Sequence, residues 1–198
     1  MKKNPNAKSN RDQVVETAAQ LFLTNGYTQT SMDEVMKRSQ VSKSNIYYHF
    51  KSKEELLLGV VDWWAAQYES ALFTLLGRTE LTSKARIASF FEMLAEQFEA
   101  RGGKGSCPFL SFYVQCPPDA EPVKERIARF FREQLPLVEK LLLQGVQKKE
   151  FRANLNAADT AAFILASLEG AIMLAETLQN GGIIRQSARS LCRLLEAA

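Results

Sequence analysis

Residues 30–57 of the chain are TSMDEVMKRSQVSKSNIYYHFKSKEELL. Within this stretch Ser31 is followed three positions later by Glu34, and Ser52 is followed in the same way by Glu55. A serine followed by glutamate at this spacing is typical of the capping box, in which the two residues satisfy free backbone N–H groups at the start of a helix. The stretch therefore predicts two helix starts about twenty residues apart.

The segments around these starts complete a series of helices. A first helix is predicted over 11–24, because its apolar residues recur at helical spacing and Gly26 is suited to end it. A second helix follows from 31 to about 38, a third begins at Ser42 after a turn of about three residues, and a long fourth begins after Ser52. Two short helices joined by such a turn form a helix-turn-helix, whose second helix enters the major groove of DNA.

The surface of the third helix suits nucleic acid. Ile46 and Phe50, four residues apart, are expected to face inward with Val41, which leaves the polar side chains outside. Lysine donates to guanine or phosphate, asparagine pairs with adenine, and hydroxyl groups reach phosphate oxygens, while the N-terminus of the second helix offers a further phosphate anchor. The predicted DNA-binding residues are Thr30, Ser31, Lys43, Ser44, Asn45, Tyr47, Tyr48, His49 and Lys53.

The run at 30–57, preceded by AAQLFLTNGY at 18–27, resembles the N-terminal signature of the TetR family of regulators. The resemblance implies a three-helix DNA-binding head, a ligand-binding body and a twofold homodimer that a small molecule releases from a palindromic operator. The chain departs from the family pattern at Ser39-Gln40, where glycine or an alanine-glycine pair is frequent, and near Ser44, where glycine or proline is common. These departures blur the base preference and leave the fold assignment intact.

The rest of the chain repeats its apolar residues at helical spacing, so the fold class is all-α with about nine helices. We expect a helix-turn-helix DNA-binding domain over 1–51, beginning with a disordered arm over 1–10, and a helical ligand-binding and dimerisation domain over 52–198. Further helices are predicted over about 82–100, 106–116, 120–149, 157–179 and 183–196.

Aromatic residues are dense on the fourth, fifth and sixth helices, which favours an apolar cavity for a small apolar or aromatic effector. Aromatic stripes also fill cores, and that alternative is open for each residue. Cys107, beside Pro108 at a helix start, is either a sensor of electrophiles or oxidants or an inert buried thiol. The predicted pocket residues are Trp64, Tyr68, Phe91, Phe98, Cys107, Phe109, Phe112 and Tyr113.

The segment 157–179 is apolar nearly all round and rich in small residues, so one face is expected to meet its own domain and another a partner copy. The last helix adds apolar residues at helical spacing, and two helices from each copy can form a four-helix seam. The predicted dimer interface is Ile164, Leu168, Ala171, Ile172, Ala175, Ile184, Ala188, Leu191 and Leu195.

Charge and composition narrow the class of function. Residues 1–60 hold nine Lys or Arg against six Asp or Glu, and the remainder holds sixteen of each, so the net charge of +3 lies at the front and favours a polyanionic partner there. The segment 1–10 is basic and is followed by no apolar run of the kind found in secretory signals. We therefore expect a cytoplasmic protein with reduced thiols and no membrane span.

The single histidine, His49, excludes a histidine-based metal site or catalytic triad in the body. No P-loop, Rossmann glycine fingerprint or paired-cysteine zinc pattern occurs. We expect no enzyme, no cofactor and no metal, although carboxylate-only or cofactor-borne chemistry stays open. The main alternative to a ligand-controlled regulator is a helical DNA-binding scaffold controlled by a protein partner.

Overall fold

The computed structural model describes residues 8–196, and helices make up most of them. No β-strand forms within this range, where Phe151 and Glu196 make an isolated antiparallel bridge. The predicted all-α class and helix order are confirmed, while residues 1–7 of the predicted arm lie outside the described range. The helices are α1 (Asn10–Asn25), α2 (Met32–Ser39), α3 (Lys43–His49), α4 (Lys53–Gly77), α5 (Ser83–Ala100), α6 (Pro108–Gln115), α7 (Glu121–Gln147), α8 (Ala157–Thr177) and α9 (Gly182–Leu195).

The chain forms two compact units. Among the described residues, the first comprises 8–67 and Pro108–Ile127, and the second comprises Tyr68–Cys107 and 128–196. Helices α4 and α7 each run through both units, so the units do not follow the predicted division at residues 51 and 52. That division remains a prediction about function.

The core of the first unit forms around Phe22, which is fully buried on α1 together with Val14 and Ala18. The Phe22 ring meets two other rings edge-on: Tyr27, at a centroid distance of 5.2 Å, and Phe112 of α6, at 6.5 Å. Edge-to-face packing of this kind is a favoured geometry for aromatic pairs. Helix α6 is thus part of the same compact unit as the three-helix head.

The second unit has a core in which α9 packs against both α5 and α8. Phe91 and Phe98 of α5 are almost completely buried in it. Arg86, at 2% exposure, is buried as well, and its guanidinium donates to the carbonyls of Leu76 at 3.1 Å and Leu81 at 3.3 Å and to Oε1 of Gln144 at 3.3 Å. Three acceptors satisfy a charge that would otherwise oppose burial.

The predicted dimer residues lie in the core of the protomer. All nine are at no more than 6% exposure, so they present little surface to a partner. Because α8 is apolar on nearly every side, periodicity alone cannot tell which face its own domain covers. The exposed apolar residues of α8 lie on another face: Phe163, Met173 and Leu174, which are 48–55% exposed, followed just after the helix by Leu178 at 63%.

Helix α8 is also the one helix among residues 8–196 that is long and apolar enough to cross a membrane, by length and composition only. One third of its most apolar window is buried in the protomer. The core helix of a soluble protein passes the same test. The packing of α8 against α9 accounts for the buried part, which leaves the exposed apolar face to be explained.

Candidate nucleic-acid interface

Helix α3 is held in the head by apolar side chains on one face. Ile46 is 1% exposed, and Phe50 and Val41, which flank the helix, are 2% and 6% exposed. The inward face predicted from the sequence is therefore confirmed. Anchoring by one short stripe leaves the opposite face of α3 free to project from the head.

Two tyrosines dominate the projecting face. Tyr48 is 74% exposed and Tyr47 is 38% exposed, which is high for large aromatic side chains. Lys43 and Ser44, one turn earlier, are exposed as well. Aromatic rings, hydroxyls and an ammonium group on one helical surface are the groups that contact phosphates and base edges.

Two lysines flank these rings and give the surface a positive charge. The Lys43 Nζ lies 5.9 Å from the centroid of the Tyr47 ring, and the Lys51 Nζ lies 6.0 Å from that of Tyr48. Lys51 also donates to the carbonyl oxygens of Tyr47 at 3.0 Å and Tyr48 at 3.3 Å, which caps the C-terminal end of α3. Sequence reasoning missed Lys51, although a basic residue just after a helix end signals such a cap.

Asn45 and His49 are half-buried at the edge of the surface. The Asn45 Oδ1 is buried and accepts no hydrogen bond from the described residues. The His49 ring packs edge-on against Tyr48 at a centroid distance of 5.0 Å. The contact of Asn45 with adenine stays a prediction.

The two DNA-binding residues predicted at the start of α2 differ in exposure. Ser31 is exposed and its Oγ accepts from the Glu34 N–H at 3.1 Å, as the capping pattern predicts. Glu34 does not complete the box, because its carboxylate accepts from Asn25 Nδ2 at 3.3 Å. Thr30 is fully buried and its hydroxyl donates to the Gly26 carbonyl at 2.9 Å, so the side chain is removed from the predicted set.

Lys53 is half-buried at the start of α4 and serves the head as well as its surface. Its Nζ lies 4.3 Å from the centroid of the Tyr27 ring and donates to the Thr28 carbonyl at 3.3 Å. Partial burial lowers the pKa of Lys53 from its ordinary value. The residue thus fixes the segment before α2, and its role at a phosphate stays a prediction.

The turn of the helix-turn-helix explains one departure from the family pattern. Gln40, at the C-terminal end of α2, has a φ of 57° and a ψ of 21°, in the left-handed region that glycine adopts without steric cost. The Ser39 carbonyl just before it accepts from Gln13 Nε2 at 2.7 Å. The backbone of the turn therefore has the conformation for which glycine is suited, although glutamine occupies the position.

Helix α6 contacts the head at its C-terminal end. Gln115 Oε1 accepts from the Tyr27 N–H at 2.8 Å, and a Cβ atom at Gly26 would lie 3.0 Å from the same oxygen. Gly26 has a φ of 91°, so both its backbone and its surroundings require glycine. Sequence reasoning assigned Gly26 to the end of α1 and missed Gln115, since a contact 88 residues away leaves no local signal.

The eight predicted pocket residues divide between the two units. Trp64, Phe109, Phe112 and Tyr113 lie in the first, and Tyr68, Phe91, Phe98 and Cys107 lie in the second. Phe112 belongs to the head core through Phe22, and Tyr113 is 48% exposed. One pocket lined by all eight remains a prediction.

A surface groove of about 340 Å³ lies between α5 and α9 and contains none of these eight residues. Its charged rim is largely paired: Arg185 contacts Glu92 at 2.7 Å and also Glu99, and Lys84 contacts Glu196.

All three cysteines are free and buried. Burial raises the pKa of Cys116 and Cys192 above its ordinary value, which disfavours the reactive thiolate in both. Cys107 donates a hydrogen bond to the Glu169 carboxyl of α8. The sensor and the inert thiol both remain predictions for Cys107.

Two family models match the chain. One, described as "Bacterial regulatory proteins, tetR family", covers residues 14–60, and the other, "Tetracyclin repressor-like, C-terminal domain", covers residues 83–191. The HTH-type transcriptional repressor DhaR of Mycobacterium sp. strain GP1 is 24% identical over 82% of this chain and 80% of its own length. The regulator QacR of Staphylococcus aureus is 44% identical over 52 residues, 26% of this chain and 28% of its own.

Solved structures are similar along nearly the whole chain. A regulatory protein TetR from Rhodobacter sphaeroides matches with a TM-score of 0.87 and 18% identity, covering 94% of this chain and 98% of its own. A cysteine mutant of CifR, bound to 26-base-pair double-strand operator DNA, matches with a TM-score of 0.81 and 17% identity over 97% and 99% of the two chains. At these identities the similarity shows the fold.

Proposed function

The chain belongs to the TetR family of DNA-binding transcriptional regulators, and from this we propose that it is a dimeric repressor that a small molecule releases from a palindromic operator. Members of the family are regulators and not enzymes. The observation that carries the proposal is the projecting face of α3, where Tyr48 is 74% exposed beside Lys43 and Lys51. We place the protein in the cytoplasm, where its DNA is.

The proposed contacts fall into two classes. Tyr47, Tyr48 and Lys43 contact base edges and phosphates in the major groove, while Ser31 and the start of α2 hold the backbone. Contacts to phosphate fix the register on the duplex, and contacts to base edges carry the sequence information. Ser44, Asn45, His49 and Lys53 remain at the border of this surface.

The dimer is proposed to form through the exposed face of α8. From Ala162 to Leu178 this face is about 24 Å long at 1.5 Å per residue. Its small residues Ala162, Ala166 and Gly170 are exposed beside Phe163, Met173, Leu174 and Leu178. A second copy of the same face buries these residues in an isologous contact, and in the DNA-bound dimer the two α3 helices lie about 34–36 Å apart, one turn of DNA.

The effector is proposed to act through α6. The chain leaves the second unit at Cys107 and enters the first at Pro108, the first residue of α6. The last residue of α6, Gln115, binds the Tyr27 N–H close to the start of α2. An effector that favours another position of Cys107 therefore acts on the helix that contacts the head, and it shifts the equilibrium by its difference in affinity for the two states.

DNA binding is tested by fluorescence anisotropy against DNA from upstream of the protein's own gene and against sites selected from random duplexes, at stated salt. We expect a palindromic site and a loss of about tenfold or more in affinity for Tyr48→Ala, the size of one or two lost hydrogen bonds. Lys43→Ala is expected to lower the slope of log K against log salt by about one. The matched control is Phe73→Ala, which removes an exposed aromatic ring of α4 outside α3.

Failure of the wild-type protein to bind any duplex at low salt would remove the regulator proposal. Equal losses for Tyr48→Ala and Phe73→Ala would instead remove α3 as the reading helix. The dimer is tested separately by analytical ultracentrifugation. Leu174→Glu is expected to give monomers, and Leu143→Glu, at a similarly exposed leucine of α7, is expected to leave the dimer intact.

A further inference from the structure

Two polar side-chain atoms of the second unit are buried without a hydrogen-bond partner among residues 8–196. Gln134 of α7 is 6% exposed, and its Nε2 donates to no acceptor. Glu169 of α8 is half-buried, and its Oε2 accepts from no donor. The large majority of buried side-chain polar atoms in native proteins have a hydrogen-bond partner, so each of these atoms requires a physical explanation.

The two side chains belong to one neighbourhood. The Tyr68 ring of α4 meets Phe130 of α7 edge-on at a centroid distance of 6.3 Å, and Gln134 follows Phe130 by one helical turn on the same side of α7. Burial raises the pKa of Tyr68 well above its ordinary value, and the negative charge of Glu169 raises it further. Aromatic rings and polar groups with unused hydrogen-bonding capacity therefore occur together between α4, α7 and α8.

We propose that Gln134 and Glu169 bind the effector, and that the effector is an aromatic molecule with a cationic nitrogen and an oxygen acceptor. The proposal rests on the proposed function, since it names the class of molecule that releases the operator. An ammonium nitrogen donates to Glu169 Oε2 and neutralises its charge, and an ether or hydroxyl oxygen accepts from Gln134 Nε2. The rings of Tyr68 and Phe130 supply apolar surface and faces that attract a cation.

Burial raises the pKa of Glu169, and the hydrogen bond from Cys107 lowers it by a smaller amount. The resulting pKa is about 7. The titratable groups that face this carboxyl are Cys107 and Tyr68. The positive charge of Arg101 in turn lowers the pKa of Tyr68. A cationic effector therefore binds most tightly above pH 7, where the carboxyl is ionised. Below pH 7 its binding must release a proton from Glu169.

The end of α8 beyond Glu169 holds the segment 103–107, which leads to α6. Two turns beyond Glu169, Glu176 Oε1 accepts from the Gly105 N–H at 2.8 Å, and Gln179 donates to the Gly103 carbonyl at 3.3 Å. The effector binds the free oxygen of the carboxyl to which Cys107, at the end of this segment, donates a hydrogen bond. The site is therefore placed to change the position of the residue immediately before α6.

The experiment uses three probes with one skeleton and different charge: 2-(4-methoxyphenyl)ethylammonium, 2-(4-methoxyphenyl)ethanol and 4-methoxyphenylacetate. Each is titrated into the full-length protein without DNA by isothermal calorimetry at pH 8. We expect the ammonium to bind about tenfold or more tightly than the alcohol, the size of one charge-assisted hydrogen bond, and the carboxylate to bind most weakly. At pH 6 we expect the ammonium to bind more weakly and to release protons.

Glu169→Gln keeps the side-chain shape and is expected to abolish the preference for the ammonium. Gln134→Leu is expected to weaken the binding of 2-(4-methoxyphenyl)ethylammonium more than the binding of unsubstituted 2-phenylethylammonium. The matched control is Glu96→Gln, which removes an exposed carboxylate of α5 and is expected to retain the preference. Circular dichroism of each variant verifies that the helical fold is kept.

Equal affinity for the ammonium and the alcohol, a preference that survives in Glu169→Gln, or binding of none of the probes overturns the proposal. The last result would leave water as the partner of the two atoms. DNA binding by the wild-type protein is measured in parallel. A protein that binds its operator but no probe remains a regulator without this site, whereas one that binds the ammonium but no DNA retains the site and loses the proposed function.

Discussion

Replacement of Glu169 by glutamine is expected to stabilise the protein, and the gain should depend on pH. Glu169 has a pKa of about 7 in the folded chain because of its burial, against an ordinary value of 4.5. Each pH unit between the two values changes the free energy of unfolding by about 1.4 kcal/mol. The ionised carboxyl therefore lowers the stability of the wild-type protein by roughly 3 kcal/mol above pH 7.

The direction follows from which state holds the proton. Between pH 4.5 and 7 the folded chain keeps the proton on Glu169, whereas the unfolded chain has released it. The free energy of unfolding therefore falls as pH rises through this window, and the contribution is fully present only below pH 4.5. Glutamine does not titrate. The free energy of unfolding of Glu169→Gln, relative to wild type, should therefore be about 3 kcal/mol higher at pH 8 than at pH 4.5.

Urea unfolding at pH 5, 6, 7 and 8 measures this difference, at one protein concentration because dimerisation adds to apparent stability. Glu96→Gln is the control and should change stability by only a few tenths of a kcal/mol, as exposed substitutions usually do. A difference between Glu169→Gln and wild type that is constant from pH 5 to 8 would show that the carboxyl is not held in its neutral form.

Three further substitutions probe the head. Gln40→Gly should raise the free energy of unfolding by about 0.5–1 kcal/mol, because glycine removes the left-handed strain and loses part of the gain to chain entropy; a loss in urea unfolding would contradict this. Gly26→Ala should destabilise by about 1–3 kcal/mol, since the backbone and the Gln115 side chain both exclude a Cβ atom, and unchanged thermal unfolding would refute it. Gln115→Ala should cost about 1 kcal/mol and weaken the effect of the effector on operator affinity by anisotropy; an intact response would exclude this hydrogen bond from the coupling.

The head was predictable because its signals are local. Serine caps lie within three residues of the N–H groups they satisfy, and the inward face of α3 is set by Ile46 together with Phe50 four residues later. Neither signal depends on the rest of the fold. The prediction failed at Thr30, where the capping pattern shows a helix start but not which of two adjacent hydroxyls faces the core.

The body was less predictable because its assignments depend on which faces meet. The small and apolar residues of α8 fit either its own domain or a partner, and only packing against α9 decides between them. The contact of Gln115 with Tyr27 joins residues far apart in the chain. The unpaired atoms of Gln134 and Glu169 likewise lie on helices that are distant in sequence. Composition indicates aromatic surface in this region, but it cannot assign hydrogen-bond partners.

The two ends of α6 give a physical reason for placing the coupling there. Cys107, directly before the helix, donates to Glu169 of α8, and Gln115, its last residue, accepts from Tyr27 of the head. An eight-residue helix is about 12 Å long and too short to bend appreciably. A displacement of Cys107 must therefore either move Gln115 or be absorbed at the joint with Pro108, and the response of Gln115→Ala to the effector distinguishes these two outcomes.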